Sequence, residues 1–353
     1  SDVYKRQNPL GPSQRGLSAL ESQLRYISHY PDATNDDILN AIADIYGMNK
    51  NQIVVGNGAA ELLYAIWRLP GYTGAFVPAP GFSEYKAALE ASRIPVRDIY
   101  YRPREDEHGK PYFEVPYLAL ETFAAELKGQ DGRIIVFLGN PNNPDGTLLD
   151  KNHILTIASM LKDANSLLVI DESFIDFVGN DTLQDNEYSM RSLVNEFDNI
   201  IVVHSFTKFY AVPGLRIGAA FSNPLIIEQL NSFIPTWSVN TLAQSYTEAA
   251  LNDVEYVKRT KQVLHEEQLF MYNSLDTLDG ITVYPPSANF MLFHIEQEGI
   301  TAESINEALK KHNMIVRNCD SYMGLNNQWV RVAIKDHDTN VKLVEKLTDI
   351  LKV

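Results

Sequence analysis

The chain has one cysteine, Cys319, in 353 residues. No disulfide can form within it, so a reducing compartment, the cytoplasm, is the expected location. Positive charge is scarce: 30 Lys and Arg stand against 45 Asp and Glu, a formal net charge of −15. That balance disfavours nucleic acid and anionic membrane as partners, and an anionic substrate would need a local group of arginines. No apolar run approaches the ~18–20 residues of a membrane span, and no secretory pattern opens the chain. The eight histidines are scattered without ligand spacing, which leaves metal chemistry without support. Internal repeats and low-complexity tracts are lacking too. What is present is an ordinary globular composition, 45% hydrophobic and 21% charged, with length enough for one large α/β unit and a smaller one attached.

The most informative stretch runs from Ser205 to Gly218 around Lys208. It follows Asn199-Ile200-Ile201-Val202-Val203-His204, a short β-branched run that suits a strand buried on both faces of a parallel sheet. Lys208 therefore falls just past a strand's C-terminal end, the edge of an open α/β sheet where ligands bind. A lysine becomes a carbonyl nucleophile when desolvation or nearby positive charge lowers its pKa, and Arg216 lies close in sequence. Ser205, Thr207 and Arg216 together suit a phosphate. Alone, such a lysine is usually solvated; it needs partners upstream.

Those partners occur in order. Asn8-Pro9-Leu10-Gly11-Pro12 is turn-rich, and Asp36-Asp37 opens a helical spacing through Ile38, Ile42 and Ile45. Ile53-Val54-Val55 runs into Gly56-Asn57-Gly58-Ala59-Ala60, a strand, a glycine turn and a helix start whose free amides form an anion site. Gly74 to Pro78 is a further strand, leading to Phe82 and a helix through about Ser92. Ile134 to Leu138 ends in the turn-dense Asn140-Pro141-Asn142-Asn143-Pro144-Asp145-Gly146, and Ser166 to Ile170 ends at Asp171. Strands and helical spans alternate from about residue 50 to 235, the signature of a doubly wound parallel sheet with Asn143, Asp171 and Lys208 along one edge. A helical span from Leu242 to about Leu278 links to short strands (281–284, 289–293, 329–334) and helices (302–312, 338–351), a separate α+β lobe.

Ser-x-x-Lys followed by Pro-Gly-Leu-Arg-Ile-Gly resembles the cofactor-lysine segment of fold-type I pyridoxal 5'-phosphate enzymes, the aspartate aminotransferase superfamily. The resemblance implies a large domain with a mostly parallel seven-stranded sheet flanked by helices, plus a smaller α+β domain. The expected divisions are an N-terminal segment, 8–45, contributing to the small domain and dimer contacts, a cofactor-binding domain at 46–240, and a linking helix with the C-terminal domain at 241–353. Residues 1–7 resemble the translation of a transposon end and are expected to be a non-native start.

By the same resemblance Lys208 would carry the cofactor and serve as proton carrier. Asp171 would face the pyridine nitrogen, Asn143 the ring oxygen O3′, and Phe82 the ring face. Ala59 and Ala60 amides with Ser205, Thr207 and Arg216 would hold the phosphate, and Tyr30 would reach it from a partner subunit, implying a homodimer with shared active sites. Arg331 matches the arginine that forks onto a substrate carboxylate, Arg317 a position that binds a substrate phosphate, and Asn8 is a third candidate substrate residue. The expected substrate is a small phosphorylated amino acid or amino alcohol.

Two groups within the superfamily share nearly the whole pattern: L-threonine-O-3-phosphate decarboxylases of cobalamin synthesis and histidinol-phosphate aminotransferases. Asp171-Glu172-Ser173-Phe174, Pro235-Thr236-Trp237 and Arg317-Asn318-Cys319 resemble the decarboxylases more. Phe174 stands where aminotransferases commonly place a tyrosine that donates to O3′, and phenylalanine cannot donate. The expectation is therefore decarboxylation, with transamination as the alternative and a non-catalytic cofactor-binding sensor as a third. Asp145, where this loop usually carries threonine, has no account at this level.

Overall fold

The computed structural model describes residues 7–129, 132–179, 182–184 and 186–352. The segment expected to be non-native falls, apart from Gln7, outside the described residues.

The apolar runs form the strands their composition dictates. In chain order these are β1 (Ile53–Gly56), β2 (Tyr72–Ala79), β3 (Val96–Tyr100), β4 (Arg102–Glu105), β5 (Pro111–Glu114), β6 (Arg133–Gly139), β7 (Leu167–Asp171), β8 (Ile200–Ser205) and β9 (Gly218–Phe221). Apart from the β4–β5 hairpin they make one seven-stranded sheet in the order β1-β9-β8-β7-β6-β2-β3. Only β9 runs against its neighbours; β8, β7, β6, β2 and β3 are parallel. The central strands bury both faces, which is why they are continuously apolar rather than alternating. Val136, Leu138, Leu168, Ile170, Ile200 and Val202 enter one core, and Ile135, Phe137, Leu167, Val169, Ile201 and Val203 enter the other.

A second sheet, β10 (Ile281–Val283), β11 (Phe290–Ile295), β12 (Arg317–Asn318) and β13 (Trp329–Ala333), is antiparallel in the order β10-β11-β13-β12. One face, with Met291, Phe293, Val330 and Val332, packs on Leu343 and Leu347 of the C-terminal helix. From the other, Phe290 and Leu292 join the large sheet's core, so the two sheets meet over an apolar contact.

The helical span expected over 242–278 is two helices, Thr241–Leu251 and Val254–Asp276. Asp253 divides them: its carboxylate caps the second helix at the Tyr256 amide and accepts from Ser13 Oγ at 2.6 Å. Such a residue favours a cap over a helix interior. Two N-terminal helices, α1 (Gln14–Gln23) and α2 (Asp36–Tyr46), pack on Thr241–Leu251. Among the described residues no helix is long and apolar enough to cross a membrane.

Candidate active site

Register brings the site together. Gly139 pairs with Asp171, Asp171 with Val203, and both Ser205 and Gly56 with Gly218, so the ends of β6, β7, β8 and β1 lie in adjacent rows along one sheet edge. Past that edge, Ala59 begins helix α3 (Ala59–Ile66), Phe82 is the N-cap of α4 (Ser83–Ala91), and Lys208 sits in the single turn Phe206–Phe209. One cleft is lined by Ala59, Ala60, Phe82, Asn143, Asp171 and Phe174, and further by Ser205, Thr207, Lys208 and Arg216.

At one end of the cleft the donors fit a phosphate. Gly58 has φ +80°, and a Cβ there would stand 2.4 Å from Arg216 Nη2, so only glycine lets the guanidinium lie against the turn. At Gly218 a Cβ would stand 2.6 Å from the Ala59 nitrogen, so β9 can approach the start of α3 only without a side chain. Ser205 Oγ and Thr207 Oγ1 are 2.8 Å apart, and Lys208 Nζ donates to Thr207 Oγ1 at 3.2 Å. Glu61, in the first turn of α3, accepts from the Asn57 amide at 2.6 Å and from Ser238.

Across the cleft lie a carboxylate and an aromatic ring. Asp171 is buried, and its Oδ2 accepts from Tyr85 Oη at 2.7 Å, a residue the sequence did not single out. Tyr85 packs edge-on against Phe82, centroids 5.6 Å apart at 86°. Ser173 donates to Asp171 Oδ1 from both its amide and its hydroxyl. Phe174 is buried edge-to-face on Phe290 at 5.1 Å and brings no donor.

Asn143 ties the cleft to the smaller sheet. Its Oδ1 accepts from Arg331 Nη1 and, at 3.3 Å, from Tyr322 Oη, which leaves Nδ2 as the donor a ring oxygen would meet. Arg331 is 3% exposed, donates also to Tyr322 at 2.9 Å, and has its Nε buried without a partner among the described residues. A buried cationic donor with unmet capacity fits an anionic group. Arg317 is exposed and does not line this cleft; it lies over the other side of Tyr322, 5.5 Å from the ring, in a neighbouring cavity of about 330 Å³. Phe82 borders both cavities.

Two expected residues lie elsewhere. Asn8 is buried behind the Lys208 turn: its amide donates to the Phe209 carbonyl at 2.8 Å, Tyr256 at 2.9 Å and Thr260 at 2.7 Å, and its backbone N–H to the Lys208 carbonyl at 3.1 Å. With all these bonds internal, it braces the lysine turn instead of facing the cleft where a substrate would lie. Tyr30 is 77% exposed and stacks on Trp237 at 4.5 Å, outside its own chain's cleft.

Asp145 now has a structural account. It is buried, accepts from the Thr147 amide at 2.8 Å and clamps Asn142, which in turn holds the Pro80 carbonyl. Burial pushes its pKa up, and the Thr147 and Asn142 hydrogen bonds hold it back. Deeper still, Glu172 and Asp176 share Arg191, and Asp176 also meets His204 at 3.0 Å and Tyr46 at 2.8 Å. Glu172 is raised by burial, offset in part by Arg191.

A lysine, a buried carboxylate, a flat aromatic and a phosphate cradle on the carboxyl edge of a mostly parallel sheet define a fold-type I pyridoxal-phosphate enzyme, and the residues present fit that group. The chain belongs to the aminotransferase class I and II family, whose sequence model matches residues 6–347. It is 32% identical over 344 residues to the adenosylcobalamin biosynthesis bifunctional protein CobDQ of Leptospira interrogans, covering 97% of this chain but only 38% of that longer protein. It is 32% identical to the threonine-phosphate decarboxylase of Salmonella typhimurium (98% and 89% covered). Identity is 29% to the histidinol-phosphate aminotransferase of Methanothermobacter thermautotrophicus (98% and 87% covered). In structure it resembles the histidinol-phosphate aminotransferase of Clostridium acetobutylicum, with TM-score 0.88, 25% identity and 99% of both chains covered. The fold is shared with the L-threonine-O-3-phosphate decarboxylase of Porphyromonas gingivalis, at TM-score 0.82, 24% identity, and 100% and 99% covered.

Proposed function

We propose that this chain decarboxylates L-threonine O-3-phosphate to (R)-1-amino-2-propanol O-2-phosphate. The supporting observation is the pair of arginines flanking Tyr322. Arg331 is buried and bound to Asn143, and Arg317 stands in the adjoining cavity, so two cations beside Tyr322 are available to hold a substrate phosphate and leave its carboxylate free. The sequence likeness to the Salmonella decarboxylase and the donorless Phe174 point the same way.

Pyridoxal phosphate, when bound, supplies an electron sink for the pair left at the substrate Cα. Asp171 would hold the pyridine nitrogen protonated, Asn143 Nδ2 would hold the ring oxygen, and Lys208 Nζ would return a proton to Cα after CO₂ leaves. A substrate phosphate held by the arginines frees the carboxylate to depart. A carboxylate held by Arg331 instead favours proton loss and amino transfer. The latter is the second reading, transfer between histidinol phosphate and 2-oxoglutarate, and the sequence likeness to histidinol-phosphate aminotransferases favours it. The proposed active form is a homodimer in which the exposed Tyr30 reaches the partner's phosphate cradle.

The deciding experiment offers cofactor-loaded protein both L-threonine O-3-phosphate and, separately, histidinol phosphate with 2-oxoglutarate. CO₂ without glutamate is expected. Glutamate without CO₂ would overturn decarboxylation in favour of transamination.

A further inference from the structure

We infer that Tyr85 and Ser173 are positioning residues that act through Asp171, fixing the orientation of its carboxylate and leaving it one open acceptor position toward the pyridine nitrogen. The inference rests on the reading above that Asp171 meets that nitrogen.

A carboxylate has about four acceptor positions, two on each oxygen. On Asp171 Oδ1 the amide and hydroxyl of Ser173 take both. On Oδ2 the Tyr85 hydroxyl takes one, at 2.7 Å. The position left belongs to Oδ2, on a buried residue that lines the cofactor cleft. Three donors from two residues therefore dictate which atom of Asp171 meets a ring nitrogen.

Their placement is built into the fold. Tyr85 is 2% exposed and one helical turn beyond Phe82, with its ring against Phe137 of β6 at 4.1 Å and edge-on to Phe82. One stretch of chain thus supplies both the ring that would cover the cofactor face and the hydroxyl that fixes its nitrogen partner. Ser173 acts from the other side, two residues past the end of β7.

A carboxylate held against the pyridine nitrogen keeps that nitrogen's proton, and with it positive charge, in the ring. With a donor removed, the carboxylate is free to turn away from the nitrogen, ring charge falls, and the nitrogen joining the cofactor to Lys208 becomes more basic. Tyr85→Phe and Ser173→Ala remove the hydroxyls while leaving the ring packing and the Ser173 backbone bond in place.

The test follows the visible absorbance of the Lys208-linked cofactor against pH in wild type, Y85F, S173A, D171N and Y85F/D171N, alongside thermal melting of each apoprotein. Y85F and S173A should each raise the titration midpoint by roughly half a unit or more. Y85F should move it no further in the D171N background, because the residue through which it acts is gone. Equal shifts in both backgrounds, or no shift in either single variant, would overturn the inference. So would a Y85F protein that melts like wild type yet takes up no cofactor, since Tyr85 would then build the site instead of tuning it. If Y85F does not fold, the midpoint of S173A decides by the same criterion. Absence of a visible band from wild type would refute the Lys208 reading itself, a separate failure.

Discussion

Arg331, on β13 of the smaller sheet, and Asn143, in the loop past β6, lie 188 residues apart, yet the arginine's Nη1 donates directly to the amide oxygen of the asparagine. The bond orients Asn143 Nδ2 toward the cleft and fixes one side of the Arg331 guanidinium, while its Nε keeps unmet capacity. In the proposed function, substrate and cofactor contacts would thereby be linked through one side chain.

That linkage makes Arg331→Lys more than a loss of charge geometry. A lysine supplies a point charge where a planar fork is needed and cannot hold Asn143 at the same time. We expect kcat/KM to fall about 100-fold, with a smaller loss for Arg331→Lys in an Asn143→Ala background than in wild type. Steady-state kinetics of the four proteins checks the coupling; additive losses would separate the two residues.

At Gly58, alanine brings a Cβ 2.4 Å from the Arg216 guanidinium and into a positive-φ backbone. Strain of ~1–3 kcal/mol and displacement of Arg216 should weaken cofactor binding about tenfold or more. Titration of apoprotein with pyridoxal phosphate measures this directly. Gly11, at φ +72° with nothing within 4 Å of a built Cβ, provides a control in which Gly→Ala imposes backbone strain alone and should leave cofactor affinity unchanged.

Much of this site was legible because strands announce their ends. The β-branched runs of β6, β7 and β8 are apolar on both faces, so Asn143, Asp171 and Lys208 could be placed past them without knowing the pairing. Tyr85 and Tyr322 were not legible. Nothing local marks a helical tyrosine or a loop tyrosine as facing Asp171 or Arg331; only the tertiary approach of α4 and the smaller sheet does so. Gly218-Ala219-Ala220-Phe221 is too short and small to read as a strand, which hid the antiparallel β9. Asn8 misled because a turn-rich segment gives no sign of which side of Lys208 it lies on.

In the buried cluster beneath the site, Asp176 contributes stability that acid removes. Burial pushes the Asp176 pKa up, but His204, Arg191 and Tyr46 outweigh it, and the group settles at about 2 against an ordinary 3.8. A depressed folded pKa stabilises the protein above the unfolded value, and that stabilisation is lost as pH falls from about 4 to about 2. It is on the order of 2 kcal/mol at neutral pH. Asp176→Asn should flatten the dependence of unfolding free energy on pH across that window, measured by denaturant titration.

Subunit mixing tests the proposed dimer and its shared sites. Tyr30→Ala should lose cofactor affinity and Lys208→Ala should lose all activity. In a mixed dimer one site has an intact Lys208 and the partner's intact Tyr30, so random mixing should restore about a quarter of wild-type activity. No gain on mixing, in subunits shown by sedimentation to have exchanged, would place Tyr30 outside the partner's site.

Phe174→Tyr separates tuning from reaction choice. Phe174 is buried against Phe290 and lines the cleft, where a tyrosine at this position would add a donor. Donation from that hydroxyl to the ring oxygen stabilises the oxygen's negative charge, so the titration midpoint of the Lys208-linked cofactor should fall. In the proposed mechanism the reaction, in contrast, depends on how the substrate is turned by Arg331 and Arg317, which this change leaves alone. Phe174→Tyr should therefore shift the spectrum's pH dependence while the ratio of CO₂ to glutamate stays as in wild type. A variant that turned from CO₂ release to glutamate formation would show that residue 174, and not the arginine pair, selects the bond that breaks.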